Sequence, residues 1–278
     1  MTETTDFYKQ VEHSISKTYR KRIWNPFIEG VKKYKLINEN DKIAVCISGG
    51  KDSVILAVIL RMLQRYSEIP FNLEYICMDP GYTKENRVKI EENAEKLNIP
   101  IKFFSKNIFE TVDKTNKNAC YLCARMRRGS LYEFAQSLGC NKIALGHHYS
   151  DVIETTLLGM LYGGQIQGML PKLKSTNFKN MQLIRPLYCV HEKDIVAWKN
   201  YNNLEFLDCA CTVTQKSNTE VSFSKRAEIK QLIKTLKQTN PNVEKLIFNS
   251  IHNVNADTLV GYKLFGKRHS FLENFDNQ

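Results

Sequence analysis

The sequence contains no long hydrophobic run. No stretch reaches the about 18 apolar residues that a membrane-spanning helix requires, so we predict no membrane association. Residues 1–7 are polar and acidic and lack the apolar core of a signal peptide. Internal repeats and low-complexity tracts are also absent. The sequence therefore indicates a globular cytoplasmic protein, and its 278 residues suit one large domain with appendages.

Acidic residues are few compared with basic ones. The chain carries 40 Lys and Arg against 29 Asp and Glu, which gives a formal net charge of +11. Aromatic residues accompany two basic clusters: Tyr19 and Trp24 lie near residues 17–22, and Tyr262 and Phe265 lie near residues 267–269. Basic and aromatic side chains together favour RNA, which offers phosphates and unstacked bases. The alternative is an ordinary solvated basic surface.

A glycine turn joins an apolar strand to an apolar helix between residues 43 and 63. The turn has the sequence Ser48-Gly-Gly-Lys-Asp-Ser53. It does not match the common nucleotide loop, in which a lysine follows the last glycine of a longer segment. Free backbone N–H groups at a helix N-terminus, the Lys51 charge and two serine hydroxyls nevertheless suit a phosphate chain. The alternative is a turn that binds no ligand.

Strand and helix signals alternate along the first half of the chain. This alternation predicts an α/β fold with an open, mostly parallel sheet and helices on both faces. Residues 165–186 look loop-rich, and 261–278 carry weak structure signals. We expect an N-terminal helical segment at 1–40, a catalytic domain at 41–215, and a C-terminal helical extension and tail at 216–278, with the tail at 261–278. The predicted strands are 42–47, 72–78, 101–105 and 142–145, and the predicted helices are 7–40, 53–66, 84–97, 124–138, 151–162, 191–202, 222–239 and 245–253.

The eight cysteines fall into two groups of four. Cys46, Cys77, Cys140 and Cys189 lie in or beside apolar runs and are predicted to be core residues. The other four stand in polar, turn-like context: Cys120, Cys123, Cys209 and Cys211. A disulfide framework is not expected in a reducing cytosol. The C-x-x-C at 120–123 is by itself compatible with a zinc half-site, a redox pair or an iron–sulfur half-site.

Several segments resemble known families. Ser48–Ser53 resembles the PP-loop of the N-type ATP pyrophosphatases, which have the adenine nucleotide alpha-hydrolase-like fold and pass AMP from ATP to a substrate oxygen. Other segments, in the same order, resemble the tRNA 2-thiocytidine synthetases over about residues 40–215. These segments are Cys120–Tyr132, Lys142–Asp151, Met160–Gly164, Gly168–Lys172 and Ile184–Leu187.

The resemblance implies a tRNA sulfurtransferase that uses ATP, Mg²⁺ and a [4Fe–4S] cluster. Such an enzyme replaces the C2 oxygen of a pyrimidine by sulfur through an adenylated intermediate, and we expect an anticodon-loop cytidine as the target. Cys120, Cys123 and Cys209 would hold the cluster and leave one iron open for sulfur. Bacterial relatives commonly carry a second C-x-x-C, whereas this chain has Cys209-Ala-Cys211. Ungapped register with Gln215 selects Cys209, and Cys211 is the alternative ligand.

The resemblance also assigns roles to other residues. Lys51, Asp52 and Asp151 are expected to be catalytic together with the three cysteines. Asp52 is alternatively a first-turn acid that stabilises the helix dipole. Asp151 is alternatively an N-cap with Glu154 as its capping-box partner. The residues expected to bind ATP are Ser48, Gly49, Gly50, Lys51, Asp52, Ser53, Asp79, Gly146 and His147, with the adenine near 79–82, and those expected to bind tRNA are Arg127, Arg128, Lys225 and Arg226.

The expected partners are tRNA, a sulfur donor (a cysteine desulfurase or free sulfide) and a second copy of the chain. Rival hypotheses are a tRNA 2-thiouridine synthetase and a PP-loop ligase that uses an amine instead of sulfur. An iron–sulfur enzyme that removes sulfur from free thiobases would need no PP-loop. A zinc-bearing RNA-binding protein would need neither Lys51 nor Asp52.

Overall fold

A computed structural model describes residues 3–105, 119–207 and 225–277. The chain divides into two compact units. Unit 1 consists of Met1–Val152 and Met169–Phe223, and unit 2 consists of Ile153–Gly168 and Ser224–Gln278. The predicted division at residues 40 and 215 stays a prediction.

Unit 1 begins with two helices joined by a short π-helical segment, Arg20–Trp24. Strands and helices then alternate, as the sequence predicts. The helices are α1 (Glu3–Ser16), α2 (Asn25–Lys33), α3 (Lys51–Tyr66), α4 (Lys84–Lys96), α5 (Ala119–Ser137), the start of α6 (Tyr149–Gly163) and α7 (Glu192–Tyr201). The strands are β1 (Lys42–Ile47), β2 (Asn72–Asp79), β3 (Ile101–Ser105), β4 (Lys142–Ala144), β5 (Lys172–Lys174) and β6 (Gln182–Ile184).

The six strands form one sheet in the order β3-β2-β1-β4-β6-β5. All neighbours are parallel except β5, which pairs antiparallel with β6. The predicted mostly parallel sheet is therefore confirmed. The segment 165–186, predicted to be loop-rich, also contains the short strands β5 and β6, which were not predicted. Each has only three residues, which is too short for a period-two pattern to emerge from sequence.

Helices cover both faces of this sheet. Alternate residues of β1 point to opposite faces, since side chains alternate along a strand. Ile43, Val45 and Ile47 join a core cluster that includes most of α3 together with residues of α1, α2 and α7. Ala44 and Cys46 join a second cluster with Tyr132 and Ala135 of α5. The apolar run in α3 is thus buried because this helix packs on the sheet and under other helices.

A buried ion pair fixes the amino ends of β1 and β4. The side chain of Lys142 is 1% exposed and that of Asp41 is 5% exposed, and the Lys142 ammonium donates to this carboxylate and, at 2.9 Å, to the Leu36 carbonyl. Asn141 donates to the other Asp41 oxygen at 2.8 Å. Breaking such a pair would leave a buried charge without compensation, so it pins the two strands together. The opposite, carboxyl end of the same strands bears the candidate site.

Unit 2 is helical and ends in a β-hairpin. Its helices bury Ile229, Ile233 and Phe248. The expectation of weak structure at 261–278 is wrong, because 261–270 forms an antiparallel pair of strands. Both strands are largely exposed, so they lack the alternation of apolar and polar residues from which a strand is predicted. The elements are the remainder of α6, α8 (Lys225–Thr239), α9 (Val243–Ser250), a 3₁₀ turn (Ala256–Thr258), β7 (Gly261–Leu264), β8 (Lys267–Ser270) and a final 3₁₀ segment (Phe271–Asn277).

In the described ranges, no helix is both long enough and apolar enough to cross a bilayer.

Candidate functional site

The candidate site lies where the strand order reverses. From β1 the chain proceeds outward through β2 and β3, and it then returns to place β4 and β6 on the other side of β1. In open α/β sheets, ligands bind at the carboxyl ends of the strands at such a switch point. The loop 48–50 leaves β1 at this point, and residues 145–148 leave the neighbouring β4. Asp79 ends β2, and Arg185 follows β6, at the same edge of the sheet.

The glycine turn has the backbone that its sequence demands. Gly49 has a φ of +82°, and a Cβ there would lie 2.7 Å from a side-chain atom of Ile90. Gly50 is the N-cap of α3, which begins at Lys51. The Ser53 hydroxyl donates to the Gly50 carbonyl at 2.8 Å and accepts from the Ser48 backbone N–H at 3.1 Å. Ser53 therefore ties the turn closed, and the first backbone N–H groups of α3 are left for a ligand.

Gly146 packs directly on this helix terminus. A Cβ at position 146 would lie 2.9 Å from the Asp52 carbonyl carbon and 3.1 Å from the Ser53 nitrogen. Both atoms belong to the backbone and cannot rotate away. Only glycine therefore allows the segment after β4 to approach the first turn of α3.

Two carboxylates hold Lys51. Its ammonium lies 3.1 Å from a carboxylate oxygen of Asp52 and 3.1 Å from one of Glu192, the first residue of α7. Partial burial acts to lower the pKa of Lys51, but the two carboxylates outweigh burial and raise this pKa. The lysine is therefore kept charged at the end of the turn.

His148 lies among carboxylates and its side chain is 4% exposed. Its Nδ1 lies 3.4 Å from the Asp151 backbone nitrogen. Nε2 lies 3.7 Å from Asp52 Oδ1 and 3.9 Å from Glu192 Oε1. Asp52 Oδ1 is buried and has no hydrogen-bond partner among the residues described.

Asp151 lies inside α6 rather than at its N-cap, because the helix begins at Tyr149. Its carboxylate accepts from the His148 backbone N–H at 3.0 Å and lies 3.3 Å from His148 Nδ1. The N-cap alternative for Asp151 is therefore wrong. Glu154 does not act as a capping partner but is 3% exposed and pairs with Arg226 at 2.8 Å.

Asp79 shapes the loop that follows β2. Its carboxylate accepts from the backbone N–H groups of Gly81 and Tyr82, at 2.9 and 2.8 Å, and pairs with Arg87 at 3.1 Å. Burial acts to raise the pKa of Asp79, but these donors outweigh it and lower the pKa. Asp79 is thus an ionised loop-forming residue beside the site.

The two neighbouring arginines of α5 influence different groups. Burial raises the pKa of Cys77, in β2, and of Tyr82, in the loop after it, and the positive charge of Arg127 opposes this rise. The positive charge of Arg128 acts to lower the pKa of Tyr132, also in α5, and of Arg185, which follows β6. Arg185 is 8% exposed and donates to the Leu170 carbonyl. Its burial lowers the pKa of Arg185 to about 10.

The cysteines predicted to be core residues are confirmed as such for Cys46, Cys77 and Cys140, which are buried, whereas Cys189 is half-buried. Burial raises the pKa of all four thiols, which disfavours the thiolate form that binds metal.

Cys120 and Cys123 belong to the start of α5, so the expectation of a turn-like context for them is wrong. Residues three apart on a helix lie on one side of it, which suits two thiolates that bind one cluster. Their side chains, and residues Cys209 and Cys211 altogether, fall outside the described residues. Within the described part of the chain, no group of three or more His, Cys, Asp and Glu side chains is arranged to hold a metal ion.

Lys225 and Arg226, the other residues predicted to bind tRNA, begin helix α8 in unit 2. Lys225 lies over the Tyr162 ring, with its ammonium 5.1 Å from the ring centre. The Arg226 side chain is 45% exposed while it pairs with Glu154. Both therefore have structural contacts, and their role toward tRNA stays a prediction.

Sequence reasoning missed Glu192 as a member of the site. Glu192 lies 141 residues after Lys51 and begins a helix, where an acid is usual for dipole reasons alone. One signal was available: the segment containing Arg185 was singled out, and Glu192 follows it closely at the same edge of the sheet. For His147 and His148, the sequence leaves open a contact of one of them with the nucleotide and the role of a hydrogen-bonded loop histidine.

Comparisons with known proteins place the chain among PP-loop proteins. The PP-loop domain family matches residues 10–236. The chain is 36% identical to tRNA-cytidine(32) 2-sulfurtransferase of Alcanivorax borkumensis over 238 residues, which covers 84% of this chain and 80% of the relative. It is 33% identical to the protein of the same name from Vibrio parahaemolyticus over 95% of this chain and 84% of the relative.

Among solved structures, the U34-tRNA thiolase NcsA from Methanococcus maripaludis, determined with its [4Fe–4S] cluster, superposes with a TM-score of 0.62. The match covers 82% of this chain and 76% of that one, at 22% identity. At this identity the likeness confirms the fold, which is that of the PP-loop proteins.

We predict that Gly146→Ala weakens ATP binding about tenfold or more, because the new methyl group must displace the first turn of α3. Overpacking against backbone typically costs roughly 1–3 kcal/mol. Titration with a fluorescent ATP analogue measures the affinity, and urea unfolding measures the stability. Gly129→Ala is the control, since nothing lies within 4 Å of a Cβ there. ATP binding by Gly146→Ala at the wild-type affinity would contradict the predicted role of this contact.

Proposed function

Because this chain belongs to the tRNA-cytidine(32) 2-sulfurtransferase family of PP-loop enzymes, we propose that it replaces the C2 oxygen of a tRNA cytidine by sulfur at the expense of ATP. The observation that carries the proposal is the closed glycine turn at the switch point, with Lys51 held at the first turn of α3. A helix terminus with free N–H groups and a fixed ammonium suits the charge of a polyphosphate.

The C2 oxygen of cytidine is a poor leaving group, and it must be activated before sulfur can replace it. An amide-like C2 oxygen attacks the α-phosphorus of ATP, and the bond from that phosphorus to pyrophosphate breaks. The former C2 oxygen now belongs to an adenylate. When a sulfur nucleophile attacks C2, the carbon–oxygen bond breaks and AMP departs with that oxygen. The donors of the turn and Lys51 stabilise the departing pyrophosphate, and Mg²⁺ accompanies the ATP.

Glu192 is the residue that we add to this machinery. It shares the Lys51 ammonium with Asp52 at equal distances of 3.1 Å. An unbranched lysine side chain has many rotamers, and two fixed carboxylates restrict them. We therefore infer that Glu192 is a positioning residue, which acts on ATP through Lys51.

Three cysteines would hold a [4Fe–4S] cluster: Cys120, Cys123 and Cys209. The adjacent placement of Cys120 and Cys123 on the first turns of α5 fits two such ligands. When bound, the cluster would supply an iron with an open position for sulfur. Cys211 is the alternative third ligand.

The proposed substrate is folded tRNA, with the target in a loop where bases are unstacked. The net charge of +11 suits a polyanion of this size. The sulfur donor is a cysteine desulfurase or free sulfide, and the enzyme acts in the cytoplasm as a homodimer. The sulfur donor, the cytoplasmic location and the homodimer are proposed from the resemblance to the family.

The proposal as a whole is tested with anaerobically reconstituted protein, tRNA, Mg-ATP and sulfide. Nucleoside mass spectrometry should find 2-thiocytidine only when all components are present. A product that is 2-thiouridine would move the enzyme to the uridine-modifying branch, and an amine-substituted base formed when a free amine replaces the sulfide would identify a ligase.

We predict that Lys51 and Cys209 have separable functions. Lys51→Ala should reduce AMP formation about a hundredfold or more, the cost of removing one preorganised charge-stabilising donor, while iron content is unchanged. Cys209→Ala should lose iron while it still binds a fluorescent ATP analogue. Iron is measured after anaerobic reconstitution, and AMP by chromatography.

Lys193→Ala and Cys211→Ala are the matched controls, because Lys193 is an exposed lysine next to Glu192 and Cys211 is the competing ligand. Normal AMP formation by Lys51→Ala would refute the assignment of the turn. Iron loss in Cys211→Ala with retention in Cys209→Ala would reverse the choice of ligand.

We predict that Glu192→Gln raises the KM for ATP roughly two- to tenfold and changes kcat little, as expected for the loss of one partly exposed charged hydrogen bond to Lys51. Glu74→Gln is the control, since Glu74 pairs at 3.0 Å with Lys42, the first residue of β1, whereas the turn follows the other end of that strand. Steady-state kinetics at saturating tRNA make the measurement. An unchanged KM would show that Lys51 needs no such support.

A further inference from the structure

Unit 2 contains a cavity that the proposed reaction does not use. Its volume is about 920 Å³, within the upper part of the roughly 300–1,000 Å³ range of small-molecule sites. One wall is formed by residues 164–167, and another by the hairpin strands β7 and β8. The match to the PP-loop domain ends at residue 236, so the hairpin lies beyond it.

The polar chemistry of this cavity favours an anion. Lys263, Arg268 and His269 line it, together with the amides of Gln165 and Gln167. No aspartate or glutamate is among its lining residues in the described part of the chain. Two cations without a lining carboxylate attract a phosphate, and the amides can meet the polar edge of a base.

The aromatic chemistry favours a flat ring. Tyr262 and His269 face each other across the two strands, and their rings stack with centres 5.0 Å apart and planes inclined by 19°. At the tip of the hairpin, Phe265 is 98% exposed with a φ of +49°, and Gly266 follows with a φ of +81°. This is the geometry of a tight two-residue hairpin turn. The Phe265 ring therefore has no packing partner among the residues that the structure describes.

The walls of the cavity are braced. The Gln165 N–H donates to the Gly159 carbonyl at 2.9 Å, and a Cβ at Gly159 would lie 3.0 Å from the Gln165 oxygen. On the other wall, His269 Nδ1 contacts a Glu273 oxygen at 3.1 Å, and the Phe271 N–H donates to Val260 at 3.2 Å. A braced site loses little conformational entropy when a ligand binds.

We propose that this cavity binds one nucleotide from a single-stranded segment of the substrate tRNA. The phosphate contacts Lys263 and Arg268, and the base stacks beside the Tyr262–His269 pair. RNA is favoured over other partners because a cation pair and stacked rings together match a phosphate joined to a base. The proposal rests on the proposed function, since that function supplies the tRNA.

Three variants and two controls test this site by tRNA binding at several salt concentrations. Arg268→Glu should weaken binding about tenfold or more and reduce the slope of log affinity against log salt by about 1. Tyr262→Ala should weaken binding roughly 5- to 150-fold with little change in that slope, because stacking is not electrostatic. Arg268→Gln should also reduce the slope, without introducing a new charge.

Lys245→Glu makes the same charge change as Arg268→Glu at an exposed position of α9, and it should shift the affinity less than about threefold. Tyr262→Phe keeps the ring and should bind tRNA like the wild type, which separates stacking from hairpin folding. Circular dichroism verifies the fold of each variant. Arg268→Glu and Tyr262→Ala that bind tRNA like Lys245→Glu would overturn the proposal.

Light scattering and flotation with anionic lipid vesicles examine the other occupants. If the hairpin variants change the oligomeric state while tRNA binding is unaffected, the cavity belongs to a second copy of the chain. If they lose vesicle binding while tRNA binding is unaffected, the cavity belongs to a membrane. Either result would overturn the proposal.

Wild-type thiolation is measured in parallel. If the wild type thiolates tRNA but the variants bind normally, only the cavity proposal fails. If the wild type makes no thiolated nucleoside while the variants lose tRNA binding, only the proposed reaction fails.

Discussion

One close backbone contact organises the candidate site. Gly146, at the end of β4, lies so near the first turn of α3 that a Cβ would fall 2.9 Å from the Asp52 carbonyl carbon. This contact is possible because β1 and β4 are parallel neighbours in register, pinned at their other ends by the buried Asp41–Lys142 pair. It brings two segments almost 100 residues apart in sequence to one edge. The contact also places His148, two residues further on, with its Nε2 3.7 Å from Asp52 Oδ1.

The charges at this edge are arranged as a small network with one lysine and several carboxylates. Lys51 is held by Asp52 and Glu192, and the His148 imidazole lies among the same oxygens. An incoming polyphosphate would meet both the attraction of Lys51 and the repulsion of its carboxylates. This balance explains why we expect Mg²⁺ to arrive with the nucleotide, since it offsets negative charge from both sides.

The sequence was informative where a signal is local. The strand, the glycine turn and the helix of residues 42–66 follow from apolar runs and two glycines, and the structure confirms all three elements. Contacts between residues distant in the sequence could not be predicted. The pairing of Lys51 with Glu192, for example, depends on how β6 and α7 pack against β1. The three-residue strands β5 and β6 and the exposed hairpin were missed because neither carries a hydrophobic period. The N-cap of α6 was placed three residues too late, at Asp151, because the helix begins at Tyr149.

In the proposed reaction, the cytidine C2 oxygen itself attacks ATP. This step is tested with tRNA whose target cytidine carries a heavy oxygen isotope at C2. After one round of reaction with sulfide, mass spectrometry of the released AMP identifies the fate of that oxygen. We expect AMP to carry the heavy isotope and the tRNA to contain sulfur in its place. AMP without the isotope, formed while the tRNA becomes thiolated, would show that the C2 oxygen does not attack ATP.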